Sequence, residues 1–416
     1  MRRERIDADQ ALFSERLAGR PAGLRRSLAR AAALAPHLGV DLAAWRARPQ
    51  RVLIVVGSKG KGTAATYASA TLAAAGLRVG TLTSPGLRSN RERIRVGGTA
   101  IDRLGYERLV GDVASTVRSR GPQLPDGGYL SPSGLFLLAA IRHFSDRGCD
   151  AVVLEAGMGG RSDEVALLWP GVVAITAVIE EHVGVLGDSV TEIAAEKAGV
   201  VTAATSALVS APQPFAEADR VVVEEARRHG AELIRVDRTS TVPGDSELSP
   251  GLGRVNALAG VTAALRLLDT GRWTPPPPAT LRTVLDGVQL PGRLSHHRLG
   301  SQHWIIDCAT NPEAIAGAVA HATETMGRPT AVLSYVPRLR DDGPLLEAMG
   351  ELTVVRVPGG SSTGPPGRGA VMHLDQVDLD ALGPRVLAVG PAYFAGELLA
   401  TLDVDCERSF GPPPPT

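Results

Sequence analysis

Residues 52–63 constrain the fold of this chain more than any other stretch. They read Val-Leu-Ile-Val-Val-Gly-Ser-Lys-Gly-Lys-Gly-Thr, and the helix-forming run 64–75 follows them. A short run of β-branched and apolar residues favours a strand that is buried on both faces, and Gly57, Gly60 and Gly62 allow tight backbone turns after it. The segment therefore predicts a strand, a phosphate-binding loop and a helix.

The loop carries the groups that bind a nucleotide triphosphate. Its amides, including those of Ser58 and Lys59, can surround phosphate oxygens, Lys61 can reach the outer phosphates, and Thr63 can offer a hydroxyl to Mg²⁺. The common pattern places Ser or Thr directly after the lysine, whereas Gly62 intervenes here, so the loop is a variant. The alternative is a flexible connection that binds nothing.

Length and composition narrow the class of protein. At 416 residues the chain is long for one core, and its alternating helix-forming and Val/Ile-rich runs favour an α/β protein with mainly parallel sheets. Basic and acidic residues both number 44, so no net charge attracts nucleic acid or anionic lipid. The apolar runs are strand-sized and the three cysteines are widely spaced, which predicts a cytoplasmic protein without membrane contact or disulfides.

Proline placement suggests where the domains divide. Residues 275–278 are four consecutive prolines, which predict a surface connection because proline cannot join helices or central strands. We expect the boundary soon after it, giving a phosphate-loop domain at 1–293 and a smaller Rossmann-like domain at 294–416.

Two more strand ends are expected beside the loop. The apolar run 151–154 ends in Glu155, and the run 171–178 is soon followed by His182. Ligand sites of open parallel sheets lie beyond the carboxyl ends of the strands, so both side chains are candidate Mg²⁺ ligands, although oxygen ligands suit Mg²⁺ better than imidazole. The alternatives are a solvent-facing glutamate and a histidine that is only hydrogen-bonded.

Lys197 has two interpretations. A capping box that starts at Ser189 predicts a helix ending at Gly199, which puts Lys197 in its last turn. There a cation is favoured by the helix dipole. Alternatively, burial lowers its pKa and the free amine captures CO₂, giving a carbamate that holds a second metal ion.

Several motifs occur in an order that matches a known family. They are 57–63, 83–85, 92–94, 154–161, 196–199, Asn256, 291–293 and 307–312. On these motifs the chain resembles bacterial folylpolyglutamate synthase/dihydrofolate synthase, a member of the Mur ligase superfamily.

The resemblance implies an ATP-dependent ligase that phosphorylates a carboxylate and lets an amino group attack the acyl phosphate. ATP would sit between the domains, the default substrates would be a folate-type acid and glutamate, and the chain would act as a monomer. Lys61, His182 and Lys197 would be catalytic. The implied metal ligands are Thr63, Glu155, His182 and carbamylated Lys197, and the implied ATP contacts beyond the loop are Asn256, Arg293 and Asp307.

Some positions depart from the family pattern. Lys59 replaces an asparagine, Glu181 an aspartate and Thr310 a histidine, and residues 131–134 replace an aromatic-Glu element. The implied phosphate and metal ligands are retained, while positions tied to the acid and to glutamate have changed most. Two alternatives therefore stay open, the same chemistry on a non-folate acid and an inactive nucleotide-binding homologue.

Overall fold

The computed structural model describes residues 26–125, 127–243, 248, 252–336, 343–358 and 374–412. The chain forms two compact units, the first from Met1–Pro85, Asn90–Val288 and Glu407–Thr416, the second from Gly86–Ser89 and Gln289–Cys406. The division after residue 293 stays a prediction, and the outer ends of both expected domains, 1–25 and 413–416, lie outside the described residues. No sequence pattern indicated the short excursion at Gly86–Ser89.

One mainly parallel sheet forms the centre of the first unit. Its strands are β1 (Val52–Val56), β2 (Val79–Leu82), β3 (Ile94–Val96), β4 (Thr99–Ala100), β5 (Ala151–Glu155), β6 (Val172–Ile175), β7 (Ala207–Ser210) and β8 (Glu232–Arg235). The order is β4-β3-β2-β5-β1-β6-β7-β8, and only β3 and β4 run antiparallel to their neighbours. All residues of β1 are buried, as expected for a central strand covered on both faces.

Helices cover this sheet. The α-helices described in the unit are α1 (Leu28–Leu34), α2 (Leu42–Arg46), α3 (Lys61–Ala74), α4 (Arg103–Arg120), α5 (Pro132–Asp146), α6 (Val190–Ala198), α7 (Ala216–His229), α8 (Leu252–Gly271) and α9 (Pro278–Asp286). Short 3₁₀ turns lie at Ala35–Leu38, Pro49–Arg51, Asn90–Arg93, Gly121–Gln123 and Glu164–Leu167. Helix α3 is buried on almost every side because its residues are mostly small, and a Cβ on Gly260 of α8 would lie 2.1 Å from the carbonyl oxygen of Ala64.

The four-proline segment needs a correction. We expected none of its prolines to join a helix, but Pro278 is the first residue of α9. Proline is tolerated there because the first-turn amide has no intrahelical acceptor in any case.

The second unit is a smaller doubly wound layer. Its strands are β9 (Ser295–Leu299), β10 (Gln302–Asp307), β11 (Ala331–Val336), β12 (Val354–Pro358) and β13 (Arg385–Val389), in the order β12-β11-β13-β10-β9 with β9 antiparallel. The described helices are α10 (Pro312–Met326), α11 (Gly343–Ala348) and α12 (Ala392–Thr401), with 3₁₀ turns at Leu374–Gln376 and Asp380–Leu382. Helices α10 and α11 pack on one sheet face and α12 on the other. The expected α/β fold with a smaller Rossmann-like unit is confirmed.

Two composition-based expectations can be compared with the structure. The described cysteines Cys149, Cys308 and Cys406 are free thiols. Within the described part of the chain, no helix has both the length and the apolar character needed to cross a membrane.

Candidate active site

The phosphate loop leaves β1 and runs directly into α3. The helix begins at Lys61, so Lys61 and Thr63 lie in its first turn. Gly60 has a φ of +86°, and a Cβ there would lie 2.1 Å from Nδ2 of Asn256. Gly57 has a φ of +132°, and its Cβ would lie 2.0 Å from Oγ1 of Thr176. Only glycine fits at these two positions, so the loop conformation is fixed by its neighbours.

Every lysine of the chain lies at this loop. Lysine and arginine together number 44, but the only lysines are Lys59, Lys61 and Lys197. Lys61 Nζ donates to the carbonyl oxygen of Gly57 at 3.0 Å, and Lys197 Nζ donates to the same oxygen at 3.0 Å. Lys59 is exposed on the loop. Two ammonium groups on one carbonyl, beside the first-turn amides of a helix, favour a polyanionic ligand. The Ser58 amide, expected to bind phosphate, instead donates to the Ala177 carbonyl at 2.9 Å.

Glu181 balances part of this charge, and the sequence-based site left it out. Its Oε1 accepts from Lys197 Nζ at 2.7 Å, and the Lys197 side chain is 1% exposed. Burial and Lys61 lower the pKa of Lys197 against the opposing effect of Glu181. Burial opposes ionisation of Glu181, but Lys197 and Lys61 hold its pKa below the ordinary value. The only sequence signal was the acid directly before His182.

Glu155 lies where a metal ligand is expected. It ends β5 beside Val55 of β1, it is 5% exposed, and its Oε2 accepts the Ser84 amide at 2.9 Å. A Cβ on Gly62 would lie 3.5 Å from the same oxygen, so the carboxylate faces the first turn of α3, which contains buried Thr63. A carboxylate and a hydroxyl are suitable oxygen donors for Mg²⁺.

The described side chains alone do not supply enough ligands for a metal ion. Among the described residues, no group of three His, Cys, Asp or Glu side chains is arranged to hold a metal ion. Mg²⁺ is often held by one or two carboxylates together with substrate phosphates. The residues present therefore fit Mg²⁺ that arrives with a nucleotide, and do not form a cage for a free ion.

His182 is close to this charge, but its ring is not locked into place. It has a φ of +51°, it is exposed, and no hydrogen bond or ion pair joins its ring to another described residue. Partial desolvation of the ring lowers its pKa, and Lys197, Lys61 and Lys59 add to this effect against Glu181. The lowered pKa favours the neutral imidazole, the form that coordinates metals, and the role of His182 as a ligand stays a prediction.

The other expected nucleotide contacts fall in two places. Asn256 lies on α8 against Gly60 in the first unit. Arg293 and Asp307 lie in the second unit, where Asp307 accepts the Leu294 amide at 2.8 Å. Burial raises the pKa of Asp307 and the Arg293 cation opposes that shift. Their contact with ATP stays a prediction.

The chain is similar to known proteins in both sequence and fold. No family model matches the chain. It is 27% identical over 338 residues to the folylpolyglutamate synthase of Lacticaseibacillus casei, which covers 74% of this chain and 77% of that relative. The apo structure of the L. casei enzyme matches with a TM-score of 0.77 at 24% identity, over 96% of this chain and 99% of that one. The chain has the folylpolyglutamate synthase fold.

The resemblance in sequence is confirmed as well. The chain is 33% identical over 184 residues to the dihydrofolate synthase/folylpolyglutamate synthase of Bacillus subtilis, which covers 44% of this chain and 41% of that relative. The matched regions cover 19%, 41% and 24% of three curated relatives that are 33% to 36% identical to this chain. The chain thus matches less than half the length of these relatives.

Behind Glu155, this version of the folylpolyglutamate synthase fold has a buried polar cluster. Arg93 is 2% exposed, lies 4.0 Å above the ring of Phe136 and donates to Ser84 Oγ at 3.2 Å. A small cavity adjoins it, lined in part by Ser84, Arg93, Glu155 and Asp163. The motifs at 83–85 and 92–94 were the only signal for these residues.

The cluster continues into the segment that departs from the family pattern. Ser131 Oγ donates to Glu164 Oε1 at 2.7 Å, and a Cβ on Gly134 would lie 2.4 Å from Glu164 Cδ. Arg26 pairs with Asp163 at 2.9 Å. Burial, with the Asp163 charge adding to it, raises the pKa of Glu164 to about 7. An acid therefore fills the space beside residues 131–134.

Proposed function

We propose that the chain is an ATP-dependent ligase that activates a carboxylic acid as an acyl phosphate and joins it to an amino acid. The observation that carries this proposal is the convergence of Lys61 and Lys197 on the Gly57 carbonyl, beside the first turn of α3 and Glu155. The names of the curated relatives support it, as does the solved FPGS-AMPPCP complex, which matches with a TM-score of 0.79 at 23% identity.

The chemistry needs positioning and charge neutralisation more than covalent help. Phosphoryl transfer spreads negative charge over the transferring oxygens, and fixed cations and amides stabilise that charge. Lys61 and the loop amides supply this part. Thr63, Glu155 and His182 would hold Mg²⁺, which when bound neutralises phosphate charge. Lys197 acts either as the ammonium described above or as the predicted carbamate.

A folate-type acid and glutamate are the default substrates, in a cytoplasmic monomer that contacts neither membranes nor nucleic acid. The relatives' names and the solved FPGS-AMPPCP-folate complex, with a TM-score of 0.76 at 24% identity, support the acid. A second candidate substrate is a non-folate acid. It is favoured by the departure of residues 131–134 from the family pattern, where Ser131 and Gly134 contact the buried Glu164 side chain.

An ADP-release assay on the full chain tests the proposal. Purified protein is incubated with Mg²⁺, ATP, glutamate and either dihydropteroate or tetrahydrofolate, and then with a panel of other acids and amines. Mass spectrometry identifies the products. ADP release with a product one glutamate heavier supports the default substrates. ADP release only with another acid supports the second candidate, and ATP binding without ADP release from any pair contradicts the ligase.

A further inference from the structure

Three histidines of the second unit form a continuous hydrogen-bonded row. His296 Nδ1 lies 3.0 Å from His303 Nε2, and His296 Nε2 lies 3.3 Å from His321 Nε2. His296 is on β9, His303 on β10 and His321 on α10. Because Ile305 is the cross-strand partner of His296, His303 lies on the same sheet face two residues earlier, and α10 packs on that face. The row therefore joins the β9–β10 hairpin to α10.

The number of protons that this row can hold follows from its hydrogen bonds. A neutral imidazole has one N–H and one bare nitrogen. When all three rings are neutral, both hydrogen bonds can form, with His296 donating in one of them and accepting in the other. With one proton added, His296 donates from both nitrogens to bare nitrogens of His303 and His321. A second proton would set two N–H groups against each other across 3.0 or 3.3 Å. The intact row accommodates at most one added proton.

The surroundings add to this limit. Arg298 on β9 lies near the row, and Arg385 on β13 is the register partner of His303, with its Nε donating to the Arg328 carbonyl. Burial, His303, His321 and Arg298 lower the pKa of His296, and burial and Arg298 lower that of His303. Burial lowers the pKa of His321, and Glu324 on α10 opposes that shift.

His297 provides an internal comparison on the same strand. Its Nε2 lies 2.7 Å from Ser295 Oγ, so this ring bonds outside the row, although burial and the neighbouring His296 also lower its pKa. Among the described charged groups that act on the row, only Glu324 favours protonation.

We propose that the row His296–His303–His321 is an acid-sensitive latch that holds α10 on the β9–β10 hairpin at neutral pH and releases it below about pH 6. Open histidines have a pKa of about 6.5 and each binds a proton in acid, so opening takes up about two more protons than the intact row holds. The folded row has lowered pKa values, so the stability it contributes is present above about pH 6.5 and is lost as the pH falls.

The linkage sets the size of the effect. Each proton taken up on opening changes the opening equilibrium about tenfold per pH unit, so two protons give about a hundredfold. Hydrogen exchange of the full chain, in the presence of a chelator and corrected for the intrinsic pH dependence of exchange, measures this opening in peptides that cover Pro312–Met326. Between pH 6 and pH 5 we expect the opening constant of the wild type to rise about a hundredfold.

Variants separate the row from general acid sensitivity. His296→Gln breaks the row at its centre and lets His303 and His321 bind protons freely, so the rise in opening constant should shrink to about tenfold or less. His297→Gln, the matched control, should keep the steep wild-type dependence. Equal steepness in His296→Gln and wild type would overturn the proposal.

Nuclear magnetic resonance of the wild-type imidazoles gives a test that does not depend on a variant folding. We expect one proton to enter the row first, and the other two to enter only as α10 loses protection. If all three rings titrate independently near pH 6.5 while α10 stays protected, the latch does not exist.

Discussion

At the scale of single residues, one carbonyl oxygen organises the charge of the candidate site. The carbonyl of Gly57 accepts from both Lys61 and Lys197, and Gly57 can take the required φ of +132° without a side chain. The two ammonium groups thereby stay close in spite of their repulsion, and Glu181 offsets one of them. The positive charge that Glu181 does not neutralise lies at the loop, where a phosphate would bind.

Replacing Lys61 with alanine should lower turnover at least about a hundredfold, because removing one preorganised group that stabilises transition-state charge costs about 3–4 kcal/mol. The measurement is ADP release under the conditions that give wild-type activity. Arg118→Ala removes an exposed positive charge from α4 and should keep wild-type rates. An unchanged rate in Lys61→Ala would show that the loop does not take part in the chemistry.

Replacing Glu181 with glutamine should destabilise the chain by about 2–3 kcal/mol, because it leaves the buried Lys197 ammonium without its carboxylate. The expected cost lies below that of a fully buried pair because the Glu181 side chain is 19% exposed. Urea unfolding measures it. The double variant Glu181→Gln/Lys197→Met should regain much of the loss, and exposed Glu180→Gln should stay within about 0.5 kcal/mol of wild type. If the stability losses of the two single variants simply add in the double variant, Glu181 and Lys197 do not stabilise each other.

Glu164 should make stability depend on pH. Its pKa is about 7 in the folded chain against an ordinary 4.5, so the folded state keeps a proton that the unfolded state has released between these values. Stability therefore falls as the pH rises from about 4.5 to about 7, by an amount on the order of 3 kcal/mol. Urea unfolding at several pH values should show this fall in wild type and in the exposed control Glu224→Gln. Glu164→Gln should lack it, and parallel curves for all three would refute the assignment.

At the scale of elements, local patterns predicted the strands better than the contacts of the loops. Strands β1 and β5 were predicted because buried parallel strands are continuous apolar runs, and the sharp change to glycine or glutamate marks their ends. The start of α3 was placed three residues late, because Lys61 and Gly62 have no apolar periodicity.

The contacts that complete the site depend on distant segments. Glu181 meets Lys197 across a turn in which His182 takes a φ of +51°, and no local pattern specifies that backbone. The N-cap of α6 shows the same limit. Ser189 accepts the Glu192 amide as a capping box predicts, but Glu192 accepts the amide of Asp188 and not that of Ser189. The preference of a residue type for a helix or a strand is a local property. The hydrogen-bond partner of its side chain depends on the folded chain.

Gly60→Ala should distort the phosphate loop. The new Cβ would lie 2.1 Å from Asn256 Nδ2, and alanine would also have to adopt a φ of +86°, which alone costs about 1–3 kcal/mol. We expect lost stability in urea unfolding and weakened ATP binding in calorimetry. Gly111→Ala is the matched control, since its Cβ meets nothing within 4 Å and it lies inside α4, where alanine should stabilise by about 0.5–1 kcal/mol. Equal effects of the two changes would rule out a special role for Gly60.

At the scale of the whole molecule, the chain leaves the first unit and returns to it. After the second unit, Glu407–Thr416 belongs to the first unit again. There the Ser409 amide donates to the Gly98 carbonyl at 2.9 Å, the Ala100 amide donates to the Glu407 carbonyl at 2.8 Å, and Phe410 is 2% exposed. The segment covers the edge of the β3–β4 hairpin, so Ser409 contacts Gly98 although 311 positions separate them in the sequence.

Ending the chain after Cys406 should therefore loosen a hairpin that is distant in sequence. Burying Phe410 contributes about 1.5–3 kcal/mol, and each of the two backbone hydrogen bonds contributes about 0.5–1.5 kcal/mol. The truncated chain should therefore lose about 3–5 kcal/mol of folding stability and exchange amide hydrogens faster across 94–100. Phe410→Ala should reproduce much of this loss. Glu407→Ala removes the partly exposed ion pair with Arg91, at 2.9 Å, and keeps the backbone carbonyl, so it should cost about 1 kcal/mol or less. If the truncated chain keeps its exchange protection at 94–100, the returning segment does not stabilise the hairpin, and the edge of β4 must be stable without it.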